Sequence, residues 1–199
     1  MIPYICDFDD WPNGKEIFLP TLLGLKNILP NLKVTLFTIP SKVNLEILDE
    51  TKRFDWIELA LHGFLHGENY EFAKLNKEEA KDLILQGYKE SVFVKGFKAP
   101  GWQISEGTME ALKELDFWVA VQYNDGRLNG DVNGPYQPKV IEGLESYAFK
   151  EYPNAIHGHT WNCCGNGISE IWEEFMKIPK DAEFITINEY VQKNKDISL

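Results

Sequence analysis

Ile2-Pro3-Tyr4-Ile5-Cys6-Asp7-Phe8-Asp9-Asp10 begins as an apolar run and ends in acid, and the same form recurs along the chain. Residues 56–61 lead into His62-Gly63-Phe64-Leu65-His66, and residues 92–97 into Lys98-Ala99-Pro100-Gly101-Trp102. Val119-Ala120-Val121 leads into Gln122-Tyr123-Asn124-Asp125, and Ala155-Ile156 into His157-Gly158-His159-Thr160-Trp161. Short apolar runs bounded by turn residues read as strands. If the strands are parallel, every polar cluster lies on one carboxyl edge, where such sheets and barrels carry their active sites.

Helical patterns separate the runs, which predicts an α/β architecture with a mostly parallel sheet. Helices are expected over 18–29, with Pro20 near the start, over 45–54, and from a capping box at Asn76 and Glu79 to about residue 90. Another is capped by Ser105 and runs to about residue 115, and a further one lies near 169–176. Strands are expected over 33–39, 56–61, 92–97, 119–123, 147–149, 155–159 and 183–187. Residues 124–138 are rich in Gly, Asn, Asp and Pro and read as a long loop.

At 199 residues, the chain is expected to form a single domain over 1–199. Its net charge of −11, with no basic block, argues against a nucleic-acid partner. No apolar stretch reaches the ~20 residues a membrane-spanning helix needs. The first residues read as a strand and not a signal peptide, so a cytoplasmic location without membrane association is expected. Of three cysteines, Cys6 reads as a buried strand residue, and the adjacent Cys163 and Cys164 form no disulfide framework.

All four histidines fall in two of the clusters. His62 and His66, four apart, can converge on one metal, and Asp10 completes an open three-ligand set with room for water. A zinc-protease helix is disfavoured, because Gly63 stands where that motif requires its Glu base. Asp9, beside Asp10, is placed to accept a proton, and Lys98 can hold it ionised. Gly101 offers a backbone N–H to an oxyanion. Trp102 and Trp161 suit stacking on a sugar ring or packing on the core. His157 and His159 are expected on opposite strand faces, so that one of them enters the site, with Asp125 to orient it.

Together the clusters resemble the polysaccharide deacetylase family (the NodB-homology domain, carbohydrate esterase family four). Asp7-Phe8-Asp9-Asp10-Trp11-Pro12 is similar to its T-F-D-D-G-P, and His62-Gly63-Phe64-Leu65-His66 to its H-S-x-x-H. Lys98-Ala99-Pro100 stands for R-x-P, with Lys98 in place of Arg, and Ile156-His157-Gly158-His159 contains the L-x-H. The resemblance implies a distorted, incomplete (β/α) barrel and a metal-dependent hydrolase that removes acetyl groups from N- or O-acetylated sugars. It implies Asp9 as base, Asp10, His62 and His66 as metal ligands, and His159, or His157 in a shifted register, as acid. The metal would be zinc, with cobalt, nickel or manganese as alternatives, and the partner a small-molecule or oligosaccharide substrate. A hydrolase of another small amide or ester, or a metal- or carbohydrate-binding module without turnover, are the competing readings.

Overall fold

The computed structural model describes residues 2–67, 70–123, 140–162 and 165–195. Its elements alternate in the order β1 (Tyr4–Trp11), α1 (Lys15–Ile28), β2 (Val34–Thr38), α2 (Leu45–Thr51), β3 (Ile57–His62), α3 (Lys77–Gly87), β4 (Gly96–Lys98) and α4 (Glu106–Glu114). There follow β5 (Trp118–Val121), β6 (Ser146–Ala148), β7 (Ala155–His159), α5 (Trp172–Met176), β8 (Phe184–Ile185) and α6 (Ile187–Lys195). The strands lie in the order β6-β5-β4-β3-β2-β1-β7, with β8 against the start of β1, and all pairings are parallel. The sheet is an open, curled half-barrel, the incomplete (β/α) barrel expected from the motifs. No helix among the described residues is long and apolar enough to cross a membrane.

Strand alternation divides the buried side chains between two faces. Cys6, Phe8, Leu36, Leu61, Phe97 and Val119 join the helices' apolar stripes, among them Phe18, Leu22 and Leu25 of α1, in the larger core. The other face packs Ile5, Phe37, Ala60, Trp118, Ala120 and Tyr147 against Ile187 and Val191 of α6. Farther along the strands this inner face turns polar: Ile5 is followed by Asp7 and Asp9, Ala60 by His62, and Ala155 by His157 and His159. The apolar floor and the polar mouth of one barrel therefore come from the same alternating positions.

Local signals explain most element ends. Asn76 and Glu79 form the expected reciprocal capping box, and the Ser105 side chain accepts from the Thr108 N–H. Helix α1 starts at Lys15, so Pro20 stands inside it and not at its opening. Strand β4 covers only Gly96–Lys98 instead of 92–97, because Val92 and Phe93 turn back to the Lys89 carbonyl. The expected strand 183–187 shrinks to Phe184–Ile185, and α6 follows it unforeseen. The signal was present: Thr186 Oγ1 accepts from the Glu189 N–H at 3.2 Å, while Glu189 Oε2 accepts from the Thr186 N–H at 3.0 Å. That is a capping box at the floor of the barrel.

Candidate functional site

Neighbouring residues on a regular strand point to opposite faces, yet Asp9 and Asp10 both turn into the barrel mouth. The β1–β2 register shifts between Phe8 and Trp11, and Asp10 adopts a left-handed φ of 72°. This bulge re-aims the second carboxylate. Both aspartates are buried, at 4% exposure each.

Asp10, His62 and His66 present three ligand atoms within 4.8 Å of one another. Asp10 Oδ1 lies 3.5 Å from His62 Nε2 and 2.9 Å from His66 Nε2. His62 Nδ1 is 3.0 Å from the Lys98 carbonyl oxygen, which can only accept, so this nitrogen carries a proton. In the neutral ring, Nε2 then turns its lone pair toward a carboxylate oxygen. Two acceptors facing each other in a buried site suit a cation between them, and a backbone carbonyl behind the ring is the usual support of a metal-binding histidine. The donor set fits a divalent ion with imidazole and carboxylate ligands.

Two residues outside the motifs shape this set. Glu71 accepts from the N–H groups of Phe64 at 2.5 Å and of Leu65 and His66 at 3.2 Å each, pinning the turn that carries His66. Gly63 has φ +62°, and a Cβ there would lie 2.2 Å from Glu71 Oε1 and 2.8 Å from Pro100 Cγ, so the turn excludes a side chain. On the other side, Trp161 Nε1–H donates to Asp10 Oδ2 at 2.7 Å. Trp161 is 43% exposed, so its ring also faces outward.

Behind Asp9 lies a fully buried lysine. Lys98 Nζ is 2.8 Å from Asp9 Oδ1 and 2.9 Å from Asp7 Oδ1, and it stands over the Trp102 ring at 3.7 Å. Trp102, read from the sequence as either a sugar platform or a core residue, covers the lysine with a cation–π contact. Burial pushes the Asp7 carboxyl up, but Lys98 and His157 outweigh it and hold it at about 2. Asp7 was read from the sequence only as part of a motif; its role appears with its burial.

The expectation that His157 and His159 lie on opposite faces is corrected. Residues two apart on a strand share a face, and the register sets His157 beside Asp7 and His159 beside Asp9. Gly158 between them faces the other way, where a Cβ would come within 3.1 Å of Phe8 Cδ1. Both imidazoles therefore reach Asp9, and Asp9, His157 and His159 form a second cluster of ligand-type atoms within 4.8 Å. His157 Nδ1 is 2.8 Å from Asp7 Oδ1, and its Nε2 is 3.8 Å from Asp9 Oδ2. His159 Nδ1 is 2.8 Å from Asn166 Oδ1, and burial lowers its pKa. Asp125, Cys163 and Cys164 lie outside the described residues. Gly101 has φ +62° in the turn after β4, packed against the Tyr70 ring.

No family model and no curated protein sequence matches the chain. Solved structures do. A family 4 acetyl xylan esterase from Clostridium thermocellum, in complex with a cobalt ion, aligns at TM-score 0.59 and 14% identity over 94% of this chain and 88% of that one. A peptidoglycan N-acetylglucosamine deacetylase aligns at TM-score 0.61 and 20% identity over 94% and 87%. A mutant of a CE4 family pseudoenzyme aligns at 0.61 and 12% identity over 96% and 67%. The chain has the CE4 deacetylase fold. Within that fold the clusters at the carboxyl ends of β1, β3, β4 and β7 meet in one mouth, although the sequence spreads them from Asp7 to Trp161.

Proposed function

We propose that this protein is a metal-dependent hydrolase of the polysaccharide deacetylase family that removes acetyl groups from N-acetylated sugars. The observation that carries the reading is the convergence of Asp10 with His62 and His66 beside a second carboxylate held by a buried lysine. The likeness of fold to deacetylases and to a cobalt-bound esterase supports it.

Asp10, His62 and His66 would hold the ion, zinc by preference of the donor set, with cobalt, nickel or manganese as substitutes. When bound, such an ion lowers the pKa of water toward ~7 and polarises the acetyl carbonyl. Trp161 fixes Asp10 Oδ2 and leaves Oδ1 for ligation. Lys98 occupies Asp9 Oδ1, so Oδ2 is the atom left to accept a proton from the attacking water. The Lys98 ammonium compensates the charge of the Asp9 carboxylate within the buried site. As the C–N bond breaks, a histidine of the 157/159 pair returns a proton to the departing amine, and acetate is released. The Gly101 N–H is assigned to the carbonyl oxygen in the transition state, and the exposed Trp161 ring to the sugar.

The test is hydrolysis of N-acetylglucosamine oligosaccharides by the zinc-loaded protein, with acetate release as readout and Asp9→Asn as the variant. Turnover by the wild type and its loss in Asp9→Asn are expected; unchanged turnover in the variant would sink the role of Asp9. A binding module without turnover is the second reading, favoured by the pseudoenzyme neighbour and by Lys98 where the family motif has Arg. Saccharide binding without acetate release would establish it.

A further inference from the structure

We infer that Asp7 is the positioning residue of the reaction and that it selects His157, not His159, as the proton donor; this rests on the deacetylase reading above. The two imidazoles share a face and both approach Asp9, so proximity alone does not choose between them. Their supports differ. His157 Nδ1 lies 2.8 Å from Asp7 Oδ1, a carboxylate at 0% exposure, whereas His159 Nδ1 meets the neutral amide oxygen of Asn166. A carboxylate behind an imidazole fixes its tautomer and stabilises the imidazolium, as a proton donor requires; an amide does only the first.

Around His157 stand Asp7 and Asp9 from β1, Lys98 from β4, whose Nζ is 3.2 Å from the same Nδ1, and His159 on its own strand. Two carboxylates thus outnumber the one ammonium beside the ring. Trp102 and Phe149 enclose the ring edge-on at 5.3 and 5.2 Å. Lys98 binds Asp7 and Asp9 at once, so one ammonium locks the supporting carboxylate and the base together. Charge arithmetic disfavours the rival use of the second cluster as another metal site. Asp7, Asp9 and Asp10 against Lys98 leave two uncompensated negative charges among these buried groups, which one divalent ion neutralises.

The donor is needed only when the leaving group departs as a poor anion. Zinc-loaded wild type, Asp7→Asn, His157→Gln and His159→Gln are compared on an N-acetylglucosamine oligosaccharide and on an activated aryl acetate, whose phenolate departs without a proton. Asp7→Asn and His157→Gln are expected to lose about 100-fold or more in kcat on the acetamide and little on the aryl ester. His159→Gln should leave that contrast as in the wild type. Imidazole nitrogen NMR of the same proteins should show the His157 Nδ1–H tautomer and one zinc equivalent retained in Asp7→Asn, so that its loss on the acetamide reports the missing charge and not a turned ring. If Asp7→Asn does not fold, His157→Gln carries the same contrast. Equal loss on both substrates, or the selective loss in His159→Gln, overturns the inference and leaves the deacetylase reading standing. Two zinc equivalents in the wild type, falling to one in His157→Gln, also overturn it. Hydrolysis of neither substrate by the wild type overturns the deacetylase reading and the donor role together.

Discussion

The indole N–H of Trp161 donates to Asp10 Oδ2 at 2.7 Å, tying an outward-facing aromatic at the end of β7 to a carboxylate in the bulge of β1. A partner of this kind orients the ligand and typically accounts for 10–100-fold in metal affinity. Trp161→Phe keeps the ring and removes the donor. Zinc affinity, measured by competition with a chelator, should fall by about 10–100-fold. An unchanged affinity would assign Trp161 to substrate contact alone.

Lys98 has 0% exposure and two carboxylate partners. Removing one member of a buried ion pair leaves the others uncompensated, at a cost of about 3–5 kcal/mol. Lys98→Met should lose stability of that order in urea at pH 7. The loss should shrink as pH falls, because burial without the lysine lets Asp7 take up a proton more readily.

Glu71 gathers three consecutive backbone N–H groups of the turn before it. Glu71→Ala leaves them to solvent and frees His66. Destabilisation of about 1–3 kcal/mol and weaker zinc binding are expected. Gly63→Ala should reproduce both effects, since its Cβ would strike the same carboxylate.

Glu58 lies at the other end of the barrel, accepting from Thr35 Oγ1 at 2.9 Å, Thr186 Oγ1 at 2.7 Å and the Asn188 N–H at 3.2 Å. Burial outweighs these bonds and raises its pKa from 4.5 to about 7. Between those values the folded chain retains a proton that the unfolded chain has released. The contribution of Glu58 to stability is therefore most favourable below about 4.5, declines as pH rises, and levels off above about 7. Glu58→Gln should gain stability relative to the wild type across that window, as read from urea midpoints at successive pH values.

The sequence was most legible where one residue acts through its neighbours in the chain. Asn76 with Glu79 and Ser105 before its helix announced their caps, and apolar runs ending in His62 and Lys98 announced the barrel's carboxyl edge. The same logic would have found α6, since Thr186 and Glu189 carry an equivalent box. A misapplied strand period placed His157 and His159 apart. Asp7, Glu71 and Asn166 were hidden for another reason: each acts on residues brought to it by the fold, and nothing in its local pattern marks that partner.

Because Asp9 and Asp10 are consecutive, the peptide link between them, and not side-chain packing, sets the spacing of the two carboxylates proposed as base and ligand. A shift of β1 carries both carboxylates together. The mouth can therefore be reshaped through the turns around Glu71, Gly101 and Asn166 without retuning that spacing. On the proposed function, substrate preference is then set at the rim and is separable from the pair of carboxylates.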